Sequence, residues 1–541
     1  MASYHIEIQT HRKSPVGIIR SSFRSEGKVK HHSHGRLIGL PLQKLKLLQA
    51  AFRGDVLPKG DPKALNIFGS KEYGASYSIL QVAKELGLDT AIYSRKEQWV
   101  NDCLAMIVGR IVYAGSKLAL SNQWKNTALW ELCGTTGPVD VDAHCYDPMD
   151  RLLERQDAIQ KKLAAKHLAN GHLVLYDITS SYFEGAYEKS EFVDFGYNRD
   201  GKKGHEQIVI GLLCSNEGCP VGVEVFRGNT KDSSTVMGKI TELRERYQLK
   251  KIIFAGDRGM VTAANSEKIK DIEGIATISA LTHQQIFDLV KRKEVQPELF
   301  DEEEIAEVTD SADISLRYCL CRNPETARRE THTRQRLLDL TVAEMETIAA
   351  SPRKSTPAKI GSRVGKAATK YKCGKFLDWH IVDGKLQWSL KQEKIDAEKR
   401  FDGCYIICSR NVSVEAMNTN EVVASYRKLE LVETAFRNLK TGQLQVRPVY
   451  HKKDDRIRAH VFLCTLAYYV QWHMIKKLQP FFENDGEGKK REWTFENVIE
   501  RLSSIRREQV RMNEIEFRMV STPEADQEEI LKCLGVTMKD M

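Results

Sequence analysis

The chain has 541 residues, enough for roughly two to four domains, each with its own hydrophobic core. Its 41% hydrophobic and 29% charged residues are ordinary for a soluble protein, and no apolar run is long enough to span a bilayer. The net charge of +9 permits a polyanionic partner without requiring one. The 12 cysteines include no Cys-x-x-Cys pair, which disfavours a zinc ribbon. We therefore expect a cytoplasmic protein with reduced thiols and no membrane partner.

The first two regions are predicted to be basic and strand-rich (residues 1–75) and then helical and DNA-binding (residues 76–170). A hairpin is predicted to turn at Glu26-Gly27. The segment from Ser78 to Asp89 has helical apolar spacing and a glycine stop. This pattern fits either the start of a helix-turn-helix or a plain hairpin of a helical bundle.

Residues 171–280 change to an alternation of strands and helices. Strands are predicted at 172–178, 181–187, 206–214, 251–256 and 275–280, with helices at 232–247 and 262–273. Three antiparallel strands followed by helix, strand, helix and strand is the element order of a ribonuclease H-like core. The predicted fold class is therefore α/β, with a mixed sheet flanked by helices.

An α+β insertion at residues 281–402 is predicted to interrupt this core. It contains a charged helix near 323–350, a basic window at 351–375 with eight Lys or Arg and no acid, and a hairpin turning at Asp383-Gly384 that places Trp379 opposite Trp388. The core resumes at residues 403–480 with strand 404–408 and helices 422–440 and 455–476. Residues 481–541 are predicted to form a helical tail, so both terminal regions are expected to be mainly helical.

Two aspartates are predicted to lie at strand ends of the core. Asp177 ends the apolar run from Leu173, and Asp257 ends the run from Ile252. Ligands bind where such strands end, although strand-terminal aspartates are also common turn formers.

Glu433 lies on the predicted helix 422–440. At about 100° per residue, Glu433 and Lys440 fall within about 40° of Tyr426, beside a stripe formed by Leu429, Val432, Phe436 and Leu439. The stripe must face the sheet, which directs Glu433 along the sheet edge, although a plain solvated face is the alternative. Asp177, Asp257 and Glu433 could thus hold two Mg²⁺ ions, with Mn²⁺ as a substitute, and Lys440 and Arg437 could bind phosphate.

The chain resembles bacterial insertion-sequence transposases of the DDE class, in particular the long-insertion branch of the "IS-four" superfamily. That superfamily carries its third carboxylate in a Tyr-x2-Arg-x3-Glu-x6-Lys signature, matched here by Tyr426, Glu433 and Lys440. The arginine position is Leu429, so Arg427 or Arg437 is expected to supply the cation. The segments from Tyr176 to Gly185 and from Gly256 to Met260 are similar to the two aspartate segments of the family, and Arg258 is a further phosphate candidate.

The resemblance implies a DNA transposase that binds the terminal inverted repeats of its element and joins them to target DNA, as a homodimer on paired ends. It implies cut-and-paste transfer through a DNA hairpin, with a base flipped out and stacked on aromatic side chains. Trp379 and Trp388 are the candidates for stacking, or else they merely stabilise their hairpin. The protein is expected to act in the bacterial cytoplasm, at the nucleoid when bound to DNA. A nuclease that cuts without joining and a non-catalytic DNA-binding regulator are the alternatives.

The basic window is predicted to form a DNA-backbone surface. If residues 357–372 are helical, one face carries Lys359, Arg363, Lys366 and Lys370 within about 60°. Gly361 and Gly365 weaken the helix prediction.

Overall fold

The structure is a computed structural model that describes residues 3–10, 14–25, 28–53, 65–168, 173–199, 201–202, 204–230, 246–247, 249, 251–257, 267, 269–270, 272–301, 305–351, 356–440, 444–483, 493–512 and 515–538. The chain divides into two compact units. One comprises residues 1–159, 188–190 and 437–541, and the other comprises residues 160–187 and 191–436.

The first unit begins with strands and continues with helices. Its N-terminal elements are β1 (Ser3–Gln9), β2 (Val16–Ser25), β3 (Lys28–Leu37), α1 (Leu42–Arg53), β4 (Leu65–Glu72), α2 (Gly74–Glu85), α3 (Leu88–Ile92), α4 (Gln98–Tyr113), α5 (Lys117–Asn122), α6 (Leu129–Leu132) and α7 (Asp147–Glu154). Ser25 pairs with Lys28, as the predicted hairpin requires, although its two turn residues lie outside the described part of the chain.

The α2–α4 segment forms the core of the helical part. Most residues of α4 are buried, and it packs against α2 and α7. The intervening α3 has only five residues, of which Leu88, Ala91 and Ile92 are buried. A recognition helix must offer a free face to DNA, so this burial favours the plain helical hairpin over the helix-turn-helix.

The second unit is built on one large mixed sheet. Its elements begin with α8 (Gln156–His167), which starts at the boundary between the units, and continue with β5 (Leu173–Tyr182), β6 (Gln207–Ser215), β7 (Pro220–Arg227), β8 (Ile252–Gly256), β9 (Ile275–Ala280), α9 (His283–Lys291), β10 (Ala306–Thr309), β11 (Leu316–Arg322), α10 (Pro324–Ala349), α11 (Pro357–Lys370), β12 (Leu377–Val382), β13 (Lys385–Leu390), α12 (Gln392–Lys399), β14 (Cys404–Arg410), α13 (Thr419–Arg427) and α14 (Leu429–Lys440), whose last residues belong to the first unit.

The strand order in the sheet is β10-β11-β14-β9-β8-β5-β6-β7. Strands β5, β8 and β9 are parallel, whereas β6 is antiparallel to β5 and β7 to β6. All residues of β6, β8 and β9 are buried, as expected for strands covered on both faces. The predicted α/β class with a mixed sheet is therefore confirmed.

Three strand predictions need correction. The predicted strand 181–187 is not separate, because residues 181–182 end β5 and residues 183–187 are not in a strand. The third antiparallel strand is β7, which the sequence reading missed. Two strands from within residues 281–402, β10 and β11, extend the sheet beyond β14, so that segment is not wholly separate from the core sheet. The predicted helices 232–247 and 262–273 fall largely outside the described residues.

The hairpin of β12 and β13 is confirmed residue by residue. Val382 pairs with Lys385, and Trp379 pairs directly with Trp388. Asp383 and Gly384 have φ values of +50° and +73°, the left-handed backbone that a two-residue hairpin loop requires. Helix α11 forms despite its two glycines.

The C-terminal part of the first unit comprises α15 (Asp454–Glu483), α16 (Phe495–Ser503), β15 (Arg506–Met512), β16 (Ile515–Val520) and α17 (Ala525–Leu534). The predicted helical tail is therefore wrong in part, because β15 and β16 form a hairpin that pairs with β4. Among the described residues, no single helix is long and apolar enough to cross a membrane. One pair of helices, Gln98–Tyr113 and Lys117–Lys125, is bent by 95° and has the length and composition of a membrane span, with nothing else to indicate one.

Candidate active site

Asp177 lies inside strand β5 rather than at its end. The strand continues to Tyr182 because Thr179, Ser180 and Ser181 still pair with β6 and are buried. On the other side of β5, pairing with β8 stops at Leu175 opposite Ala255. Asp177 is therefore placed where its parallel neighbour has ended, which leaves that edge of the strand open.

Asp257 follows directly after β8. The parallel pairing runs from Leu173 opposite Ile253 to Leu175 opposite Ala255, a constant offset of 80 residues. The same offset brings Asp177 opposite Asp257. Opposed residues of parallel strands lie about 4.8 Å apart and point to the same face. Asp257 lies one residue beyond the end of β8, and its charge acts on Asp177.

The third acid, Glu433, lies on helix α14. Its predicted apolar stripe is confirmed, because Leu429, Val432, Phe436 and Leu439 are all buried, whereas Glu433 is exposed beside them. The charge of Glu433 acts on Asp177. As placed, however, the carboxylate oxygens of the three acids do not all lie within 4.8 Å of one another.

The other two acids affect the pKa of Asp177. Its pKa is raised to about 7, chiefly because burial desolvates the carboxylate and further because Asp257 and Glu433 repel its charge. The backbone N–H of Ile178, which donates to Oδ1 across 2.7 Å, and the guanidinium of Arg199 oppose the rise. Carboxylates that repel one another's negative charge would be neutralised by a divalent cation, which prefers oxygen ligands. These residues therefore fit a metal site.

Tyr426 and Glu433 lie on two helices rather than one. The predicted helix 422–440 is interrupted at Lys428, between α13 and α14. Tyr426 on α13 donates from its hydroxyl to Oδ1 of Asp257 across 3.4 Å. The structure thus links Tyr426 to the second acid, a relation that helical spacing did not reveal.

The cations of the predicted site are distributed as follows. Arg437 and Lys440 lie in the last turn of α14, and Glu433 and Lys440 are about 10.5 Å apart along the helix axis. Arg427 is exposed and donates to the hydroxyl of Tyr405 across 3.2 Å. Leu429, at the arginine position of the signature, belongs to the buried stripe, which explains an apolar residue there. Arg258 lies outside the described residues.

Arg199 is a residue near the site, within the described part of the chain, that sequence reasoning missed. Its charge lowers the pKa of Asp177, and its backbone N–H donates to Oγ of the buried Ser180 across 3.0 Å. It follows a loop between β5 and β6 in which no periodicity or motif marks it. Only the contact with β5 places it beside the acids.

The residues predicted to contact DNA lie in the segment between β11 and α12. On α11, Lys359, Lys366 and Lys370 are exposed and Arg363 is half-buried. The buried residues Ile360, Val364 and Ala367 lie about 100° around the helix from them. Trp379 is 39% exposed and lies 3.7 Å from the position a Cβ would take at Gly361. Trp388 packs against the cluster of Met345, Ile348, Ile360, Val364, Leu377 and Leu386.

Comparison with known families identifies the class of protein. The family model described as "Transposase DDE domain" matches residues 173–470, which is more than half of the chain. The chain therefore belongs to the DDE-domain transposases, a family that is generally dependent on divalent metal ions.

Among curated proteins, no match is found. One of the solved structures to which the chain is similar is the cryo-EM structure of a piggyBac transposase synaptic complex with hairpin DNA. The identity is 8%, the alignment covers 79% of this chain and 76% of that one, and the TM-score is 0.36. A likeness of this size carries no further conclusion about this chain.

Proposed function

We propose that the protein is a DNA transposase that cleaves and joins DNA with Asp177, Asp257 and Glu433 as metal ligands. The observation that carries the proposal is the β5–β8 register. Its constant offset of 80 residues supports Asp177 and Asp257 as neighbours at an open strand edge, and the charge of Glu433 acts on Asp177. The family match gives the transposase class, and this geometry supports the choice of residues.

Each residue has a role that follows from its position. Asp177, Asp257 and Glu433 would hold two Mg²⁺ ions, for which Mn²⁺ could substitute. Such a pair supplies activation of the attacking hydroxyl and stabilisation of the leaving oxygen. Tyr426 orients the Asp257 carboxylate through its hydroxyl. Lys440 and Arg437, along the same helix as Glu433, would bind the phosphates that flank the scissile bond.

The strand order supports a ribonuclease H-like core. Five neighbouring strands have the order β7-β6-β5-β8-β9, in which β7, β6 and β5 are antiparallel and β5, β8 and β9 are parallel. Two-metal nucleases and transposases of that fold carry their acids on this arrangement of strands. The signature residues Tyr426, Glu433 and Lys440 and the long segment between the second and third acids support the long-insertion branch of the "IS-four" superfamily. They also support a bacterial insertion sequence as its source.

The proposed partner is double-stranded DNA, both as terminal inverted repeats and as target, bound by a homodimer on paired ends. The cations of α11 support a backbone-binding surface, because they share one face of the helix, about 100° from its buried face, and three of the four are exposed. A hairpin intermediate with a flipped base is the pathway proposed for this branch, with Trp379 as the more accessible stacking residue.

A strand-transfer assay tests the proposal. Full-length protein, Mg²⁺ and pre-cut DNA ends taken from the sequence flanking the gene should yield joined products with a target plasmid. Asp177→Asn, Asp257→Asn and Glu433→Gln should each reduce joining by more than about 100-fold. Glu430→Gln, an exposed glutamate on the same helix, is the matched control and should remain active.

The same assay separates the alternatives. Cleavage of intact ends without joining of pre-cut ends would indicate a nuclease. DNA binding without metal-dependent cleavage would indicate a regulator. Either result contradicts the proposed transposase activity.

A further inference from the structure

A cavity of about 670 Å³ lies in the second unit, away from the three acids in the sequence. Helices α9, α10 and α12 and the residues that follow α11 form its walls. Its volume is in the range of about 300–1,000 Å³ typical of sites for small organic ligands. None of the residues assigned above to metal or DNA-backbone binding lines it.

Aromatic rings form much of the cavity wall. Phe287 from α9 and Phe401 after α12 meet edge to face at 5.1 Å between ring centroids, and Phe376 and Tyr371 line the cavity from the end of α11. Lysine ammonium groups lie over the rings of Phe376 and Tyr371, at 4.9 Å and 4.8 Å from their centroids. The rings of Phe287 and Phe401 are therefore the ones on which a planar heteroaromatic ring can stack.

The base of the cavity is a satisfied ion pair. Arg334 donates from both terminal nitrogens to the two carboxylate oxygens of Asp402, and Thr331 donates to the same carboxylate across 2.6 Å. At the rim, Lys375 pairs with Glu398 across 2.5 Å. These four charges are therefore neutralised within the protein and provide a rigid frame rather than a net field.

Two further cations lie at the rim and are not paired with a carboxylate in the described part of the chain. Arg329 and Lys372 line the cavity and are exposed, and within the described ranges neither forms an ion pair with a carboxylate. The remaining acid, Glu330, accepts a hydrogen bond from the backbone N–H of Gly403 across 2.8 Å. The rim thus offers two cationic donors to an anionic group.

Lys372 is held in a conformation that favours glycine. Its φ is +56°, in the left-handed region that a lysine adopts at a steric cost. It follows directly after α11, whose exposed face carries Lys366 and Lys370, and Nζ of Lys370 lies 4.8 Å from the ring centroid of Tyr371. Lys372, which lines the cavity, is therefore two residues along the chain from the last lysine of that face.

We propose that this cavity binds a nucleotide, with its base against the aromatic wall and its phosphate at Lys372 and Arg329. The site differs from the Trp379 position, which contacts α11 near Gly361, about 15 Å along the helix from Tyr371. The nucleotide belongs either to a DNA strand or to the free pool, which share this chemistry. The assignment to a DNA strand rests on the proposed function.

Binding of deoxyadenosine monophosphate to the full-length Asp257→Asn protein in EDTA tests the proposal by calorimetry. We expect a Kd of about 10 µM to 1 mM, and binding of inorganic phosphate at least about tenfold weaker. Lys372→Gly should weaken binding several-fold while relieving the backbone strain, so that misfolding cannot account for the loss. Arg329→Ala should act likewise, and Thr333→Trp should abolish binding by filling the cavity.

Two matched controls define the specificity. Lys293 is also an exposed lysine at positive φ, +61°, outside the cavity, and Arg336 is an exposed arginine on α10 that does not line it. Lys293→Gly and Arg336→Ala should bind the nucleotide as the parent does. Equal losses in these controls, unchanged binding in Thr333→Trp, or no binding by the parent protein would overturn the proposal.

Competition identifies the source of the nucleotide. Displacement of deoxyadenosine monophosphate by a 12-nucleotide single strand assigns the site to a DNA strand. Failure of any DNA to displace it assigns the site to a free nucleotide. Because no metal or cleavage is involved, a protein that joins DNA ends but binds no nucleotide would refute this site and leave the proposed transposase activity intact.

Discussion

The hydroxyl of Tyr426 donates to Oδ1 of Asp257 across 3.4 Å, joining residues on α13 and at the end of β8. The two are 169 residues apart in the sequence, separated by most of the segment between the second and third acids. The interaction gives the tyrosine of the signature a physical role, because it fixes the orientation of a carboxylate proposed to bind metal.

Tyr426→Phe should therefore reduce cleavage about tenfold, since a hydrogen bond to a charged group is worth about 1.5–3 kcal/mol and this one is long. The half-maximal Mg²⁺ concentration should rise, and the melting temperature should change little because the ring is kept. Tyr450→Phe, at a 67% exposed tyrosine, is the control. Equal activity of Tyr426→Phe and the parent at limiting Mg²⁺ would contradict the role.

Asp177→Asn should inactivate the protein and yet stabilise its metal-free form at pH 8. The pKa of Asp177 is raised to about 7 in the folded state, so its contribution to stability is fully present below its ordinary value near 4 and is lost as the pH rises through 7. An asparagine side chain does not ionise, so its contribution to the stability of the folded protein does not fall as the pH rises. The variant should gain up to about 4 kcal/mol at pH 8 and little at pH 4.

Thermal unfolding in EDTA at both pH values measures this difference. Addition of Mg²⁺ at pH 8 should reverse the order, because only the parent retains the full ligand set. A variant that is less stable than the parent at pH 8 without metal would refute the crowding of charge around Asp177.

Replacement of Lys359, Arg363, Lys366 and Lys370 by glutamine should weaken binding to every DNA sequence alike. If each contacts one phosphate, the slope of log K against log salt should flatten by about 0.9 per residue. Replacement of Arg328, Arg336, Lys394 and Lys399, four exposed cations elsewhere in the same segment, is the charge-matched control. The same change of slope in both variants would show that total charge, rather than this face, determines binding.

We expect substitutions of the two tryptophans to have different effects, one on stability and the other on DNA hairpin formation. Trp388 packs against a buried cluster, so Trp388→Ala should cost about 2–4 kcal/mol of stability. Trp379 is 39% exposed, so Trp379→Ala should alter stability little. If Trp379 stacks on a flipped base, its variant should lose DNA hairpin formation while nicking continues. Unchanged hairpin formation in Trp379→Ala would leave both residues with a purely structural role.

The sequence by itself determined the features that local chemistry specifies. Asp383-Gly384 set the hairpin register because only left-handed backbone closes a two-residue loop, and that register paired Trp379 with Trp388. The sequence also predicted the apolar stripe of α14 and the apolar runs that form β5, β8, β9 and β14, because burial imposes a regular spacing of apolar residues on each. Motif resemblance then indicated the family before any pairing of strands was known.

Only the tertiary structure decided the relations between distant segments. The β5–β8 register that opposes Asp177 and Asp257, the contact of Tyr426 with Asp257 and the position of Arg199 depend on which strands pair. The extension of the sheet by β10 and β11 and the cavity between α9, α10 and α12 depend on packing in the same way. Such contacts leave no periodic trace in the sequence, because the free energy that selects them comes from burying whole faces together rather than from neighbouring residues.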